Sequence, residues 1–107
     1  MDTGSLINVR SHRVGDVGVI YAGDYLNKLS GERIEREAAK QLADGCRALV
    51  VSFKETELVN SIGVSILLGV IDAASDAGAE VVFSDVNDDT IQLFEMLGLM
   101  NHVSVIN

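Results

Sequence analysis

The chain has 107 residues, 48% of them hydrophobic, which suffices for one domain with its own core and is too little for two. Only 5% are aromatic and none is Trp, so the core is aliphatic, built from Val, Ile, Leu and Ala as α/β layers are. With 16 acidic residues against 8 basic ones the formal charge is −8, which excludes a nucleic-acid surface made of clustered Lys and Arg and favours a protein partner or a cation.

The opening "MDTGSLINVR" has neither the basic start nor the long apolar core of a secretion signal, and the longest apolar stretch is broken by Gly69 and ended by Asp72. A single Cys46 cannot close an internal disulfide and reads as a small buried thiol. These features predict a soluble, cytoplasmic protein, with residues 1–107 forming a single domain and no insertion into a membrane.

In chain order, "LINVR" at 6–10 and "VGVIYA" at 17–22 are β-rich runs separated by "SHRVGD", whose Gly15 and Asp16 are turn formers. They predict an antiparallel hairpin. In "ERIEREAAKQLADG", Ile34, Ala38 and Leu42 recur every fourth residue, with Glu32, Arg33, Glu35, Arg36, Glu37 and Lys40 on the other faces. This is an amphipathic helix with Ser30 as its expected N-cap, Glu32 near the positive end of its dipole and Gly45 just past its end.

"RALVVSF" at 47–53 lacks alternation, as a central strand covered on both faces does. From Val64 to Ala77, Leu67, Val70, Ile71 and Ala74 mark one face of a helix apolar enough to be largely buried, stopped at Gly78. "AEVVFSDV" at 79–86 is a further strand. "NDDTIQLFEMLGL" is a third helix with Asp88 and Asp89 at its N-cap and first turn, a core face of Ile91, Phe94 and Leu97, and Gly98 as its stop. "HVSVI" at 102–106 adds a short last strand. The order ββαβαβα(β) predicts an α/β fold: a mixed sheet of four to five strands, an initial antiparallel hairpin followed by βαβα units, packed with helices.

Enzymatic readings find few residues to work with. His12, in the hairpin turn, and His102, in the tail, are the only imidazole bases, and there is no G-x-S-x-G elbow. No phosphate-binding glycine loop is present, and "DVNDD" at 85–89 lacks the remaining spacing of a calcium loop. A phosphoacceptor receiver domain would need an Asp at the end of a central strand, where "ALVVSF" ends in Ser52 and Phe53. No catalytic residue, metal site or cofactor is therefore expected.

The segment before the apolar helix is more informative. Asn60 and Ser61 are both strong N-cap types, and either assignment leaves Ser61 at the cap or first helical position, where N–H groups are unpaired and the dipole is positive. A phosphate on Ser61 would be stabilised there, although an ordinary cap has the same geometry. Gly63 falls in the first turn, where glycine costs up to about 1 kcal/mol relative to Ala, so it implies close approach of another backbone or a partner. Ser65 reads as a buried or half-buried hydroxyl bonded to the preceding turn.

Val59, Asn60, Ser61, Ile62, Gly63, Val64 and Ser65 resemble the motif of STAS domains of the bacterial anti-sigma-factor antagonist family: a hydrophobic residue, Asp, Ser, Ser or Thr, Gly, Leu or Ile, Gly. "GDYLN" at 23–27 and "FEMLGL" at 94–99 resemble two further family signatures. Asn60 stands where the motif has Asp, Ile62 where it has Ser or Thr, and Ser65 where it has a second Gly. The resemblance implies the STAS fold and a protein-binding switch that is not an enzyme. In it Ser61 is the phosphorylation site and Asn60, Ser61, Ile62, Gly63 and Val64 meet the partner. That partner would be an anti-sigma factor with serine kinase activity, sequestered to release a sigma factor. The alternative the family offers is an unphosphorylated scaffold subunit of a signalling complex or lipid-transport machine; a weak homodimer is left open.

Overall fold

The structure, a computed structural model, describes residues 9–106. Along them run β1 (Arg10–Val14), β2 (Val17–Tyr21), β3 (Tyr25–Leu26), α1 (Lys28–Ala43), β4 (Ala48–Ser52), β5 (Leu58–Val59), α2 (Ser61–Asp76), β6 (Glu80–Ser84), α3 (Asp88–Met96), a 3-10 turn (Leu99–Asn101) and β7 (Ser104–Ile106). The main sheet has five strands in the order β1-β2-β4-β6-β7, with β1 antiparallel to β2 and every other pair parallel. This is the expected mixed sheet. None of the described helices is long and apolar enough to cross a membrane.

From β2 onward the strands lie across the sheet in chain order, so right-handed crossovers carry α1, α2 and α3 to the same face. Ile20, Leu49, Val51, Val81 and Phe83 point to that face and are nearly or wholly buried. Phe83 packs there against Phe94 of α3, with ring centroids 5.3 Å apart, and against Phe53 at 5.2 Å. α1 closes on β2 where Gly18 has no side chain: a Cβ at Gly18 would lie 3.0 Å from the Gln41 side chain. The other face is different. Ala48 and Val50 of β4 are only half-buried, so the central strand is covered by helices on one side and not on both.

Several boundaries differ from the sequence expectation, each for a local reason. Among the described residues the first strand is "RSHRV"; of the expected "LINVR" only Val9 and Arg10 are described, and residues 6–8 lie outside the described residues. Its polar side chains suit an edge strand. Ser11 and Arg13 face α1, where the Ser11 hydroxyl donates to Glu37 at 2.6 Å and Arg13 Nε donates to Gln41 at 2.9 Å. His12 is thus on a strand, stacked 5.6 Å from Tyr21, and the turn shrinks to Gly15 and Asp16, with Gly15 at φ +59°.

α1 begins earlier than expected because Asn27 caps it: Asn27 Oδ1 accepts from the Ser30 N–H at 3.0 Å and Ser30 Oγ accepts from the Asn27 N–H at 2.8 Å. Ser30 is therefore the buried third residue of a capping box, and Glu32 falls beyond the first turn. α2 buries one face, Gly63, Val64, Leu67, Val70, Ile71 and Ala74, half-buries Ile66 and Leu68 and exposes the rest, so it is less buried than its composition implies. In α3 the cap is Asn87, with Asp88 and Asp89 in the first turn; Phe94 and Thr90 are buried while Leu97 is exposed, its expected place filled by Leu99.

The Ser11–Glu37 contact makes a pH prediction. The Ser11 hydrogen bond, more than the nearby Lys40 and Arg33, holds the Glu37 carboxyl below its usual pKa of 4.5 against the opposing effect of burial. A depressed folded pKa contributes stability above the unfolded value and loses it as pH falls through the folded one. Ser11→Ala is thus expected to flatten the loss of stability below 4.5, which urea unfolding across that acid range measures directly.

Candidate functional site

The short strands β3 and β5, too brief for any periodic signal, pair in parallel as Tyr25↔Leu58 and Leu26↔Val59. Three further bonds fix this pair. The Asp24 carbonyl accepts from the Glu57 N–H at 2.8 Å, the Gly23 carbonyl accepts from the buried Thr56 hydroxyl at 2.6 Å, and the Leu26 carbonyl accepts from the Asn60 N–H at 2.9 Å. Each strand runs straight into a helix. Asn27 caps α1 and Asn60 caps α2, each accepting from the N–H three residues on, with a reciprocal side-chain bond only at α1, so two helix N-termini emerge from one two-stranded base.

Within α2's cap, Asn60 Oδ1 accepts from the Gly63 N–H at 2.9 Å, while its Nδ2 donates to the Tyr25 hydroxyl at 3.3 Å. Asn60 is the cap and Ser61 the first helical residue, which resolves the two assignments open in the sequence. The capped arrangement needs no hydroxyl from Ser61. Asn60→Ala is expected to cost about 1 kcal/mol in urea unfolding, and Ser61→Ala close to nothing.

Of the five residues expected to meet a partner, the structure exposes Ser61 and Ile62 and half-buries Asn60; Gly63 and Val64 are buried. Gly63 fits against its own chain: a Cβ there would lie 2.9 Å from the Leu26 carbonyl group and from its Cγ. The close approach inferred from its cost is thus made by β3. Ser65 is exposed rather than buried, although its hydroxyl does bond back to the Ser61 carbonyl at 2.9 Å.

The elements around Ser61 expose four large apolar side chains alongside polar ones such as Lys28 and Ser65. Ile62 is 56% exposed, Leu58 62%, Leu29 62% and Tyr25 40%. Sequence reasoning did not single out Leu29, Leu58 or Tyr25, because their exposure depends on the β3–β5 pairing; the only signal was Tyr25's place in "GDYLN". Electrostatics distinguish the same spot. α3 carries Asp88 and Asp89 in its first turn, whereas α1 and α2 carry no acidic residue in theirs. In a chain with twice as many acids as bases, the positive ends of these two dipoles are left open to an anion.

His12 and His102 belong to other parts of the fold, on β1 and after the 3-10 turn. Among the described residues no group of three or more His, Cys, Asp or Glu is placed to hold a metal ion.

The arrangement defines a small α/β domain whose exposed serine opens a helix. The STAS domain family model matches residues 8–107, and the chain belongs to that family. Among solved structures, it is similar to an anti-sigma factor antagonist from Mycobacterium paratuberculosis, with a TM-score of 0.77, 16% identity, and 92% of this chain covering 83% of that one. The Bacillus cell fate determinant SpoIIAA in its phosphorylated form gives a TM-score of 0.72 at 15% identity, covering 92% of this chain and 91% of that one. The STAS domain of a SulP transporter from Vibrio cholerae gives 0.72 at 20% identity, covering 92% and 78%. At these identities the likeness is one of fold. A search of curated protein sequences finds no match.

Proposed function

We propose that the protein is an anti-sigma factor antagonist controlled by phosphorylation of Ser61. In this reading the unphosphorylated surface around Ser61 binds an anti-sigma factor that is also a serine kinase, in the cytoplasm, and sequesters it so that a sigma factor is released. The protein itself catalyses nothing; the kinase supplies the active site. The observation that carries the reading is the placement of Ser61: exposed, at the first position of α2, with no acid in that helix's first turn and exposed Ile62, Leu58, Leu29 and Tyr25 nearby. An apolar rim suits docking, and the open dipole suits a phosphate. A phosphoserine adds about −1.5 to −2 charges to a surface that must be desolvated on binding, which ends the complex.

The test begins with co-purification of the native partner. Incubation of that partner with the protein and ATP should add one phosphate, found by mass spectrometry at Ser61. No phosphate after prolonged incubation, or one elsewhere, would overturn the mechanism.

A second reading, a constitutive STAS scaffold subunit, draws support from Asn60. Asn60 replaces the acidic residue of the motif and completes the cap with its amide, leaving no carboxylate beside Ser61 to orient its hydroxyl. It predicts that Ser61 substitutions leave partner binding unchanged.

A further inference from the structure

The outward face of the main sheet carries His12, Tyr21 and Ser104, yet about half of its strand positions are apolar where a solvent-facing surface should be mostly polar. Val17 and Val19 of β2, Val50 of β4 and Val82 of β6 share this face in register and are half-buried; Val14 is 62% exposed and Ile106 53%. Parallel sheets normally have both faces covered, and the unalternating sequence of β4 is written for two covers. Among the described residues the helices supply one.

We propose that the second cover is another copy of this chain, packed sheet to sheet through a two-fold axis. The charges on the face select that occupant. Among its strand residues only Arg10, at the end of β1 beside Tyr21, and Glu80, at the start of β6, are charged, and they occupy diagonally opposite corners. They are three strands apart across the sheet and four residues apart along it, or about 14 and 13 Å at ~4.8 Å per strand and ~3.3 Å per residue.

The diagonal joining them therefore lies at roughly 45° to the strands, and an axis in the face perpendicular to it sets each copy's Arg10 over the other's Glu80. The same operation crosses the two sets of strands at roughly 90°, which is the orthogonal class of sheet packing. The axis passes near Val14 and Val50, so each of these meets its own counterpart. Arg10 already lies over the Tyr21 ring at 4.9 Å and pairs with Glu55 at 3.3 Å, but that pair is exposed at both ends and weak enough to be exchanged.

The face is separate from the Ser61 surface, so the test is independent of the proposed switch. Analytical ultracentrifugation over a hundredfold concentration range should show a monomer–dimer equilibrium. Arg10→Glu and Glu80→Arg should each weaken it about tenfold or more, and the two together should restore it to within about threefold. Val14→Lys, at an exposed position that folding tolerates, should abolish it while circular dichroism stays unchanged. A protein that remains monomeric at every concentration overturns the proposal, as does a dimer indifferent to Val14→Lys or a double reversal that fails to restore what the single ones lose.

Discussion

Ser61→Asp is expected to weaken binding of the proposed anti-sigma partner by about 3 kcal/mol, on the order of a hundredfold, and at the same time to make the free protein slightly more stable. The two effects have one cause. At the first position of α2 a negative charge faces unpaired N–H groups, with no acid already in that turn, so the folded monomer gains about 0.3–1 kcal/mol. In the complex the same charge would sit within an apolar rim from which water is expelled, at a desolvation cost that exceeds what the helix dipole returns. Isothermal titration calorimetry with the purified partner and thermal unfolding of the variant alone read the two signs separately. Wild-type affinity in Ser61→Asp would sink the phosphorylation switch and leave the scaffold reading standing. A destabilised monomer would instead refute the electrostatic account of the site.

Gly63→Ala is expected to destabilise the fold by ~2 kcal/mol, against the ordinary gain of up to about 1 kcal/mol when Ala replaces Gly within a helix. The reversal follows from the 2.9 Å approach of a built Cβ to the Leu26 carbonyl carbon and oxygen, backbone atoms that move only if β3 moves. α2 supplies its own control. A Cβ at Gly69 meets only Glu35 Oε2, at 3.2 Å, the free end of an exposed side chain, so Gly69→Ala should be neutral or stabilising. Urea unfolding of the two variants side by side tests the contrast, and equal effects would show that Leu26 yields. Because Asn60 bonds both to Leu26 and to Gly63, the Gly63 variant should also displace the cap and lower partner affinity.

What could be read from the sequence depended on how locally each feature is specified. The apolar spacing of Leu67, Val70, Ile71 and Ala74 marks α2 because a helix face is written in residues three and four apart. The extent of β1 through "SHRV" is hidden in the sequence because its neighbours across space, Glu37 and Gln41 on α1, are polar. An edge strand that answers them with Ser11 and Arg13 looks like a turn. Asn27 and Ser30 are equally good caps by type, and only the reciprocal bond pattern tells them apart. At the site, Ser61 and its place in the first turn were legible from motif and chemistry together. The Asn60–Tyr25 bond and the reason for Gly63 were not, since both depend on the pairing of β3 with β5, two residues each, some thirty residues apart in the chain.

That small pair of strands has a consequence for how fast the protein can answer a signal. It fastens the starts of both helices through Leu26, Asn27 and Asn60, so on the proposed reading a phosphate at Ser61 would arrive on a helix start already held by its cap and by β3. A switch with no moving part keeps its shape in both states and differs only in the charge it shows. If Ser61 is phosphorylated as proposed, the response time would be set by the enzymes that add and remove the phosphate and by release of the partner, with no refolding step in this chain.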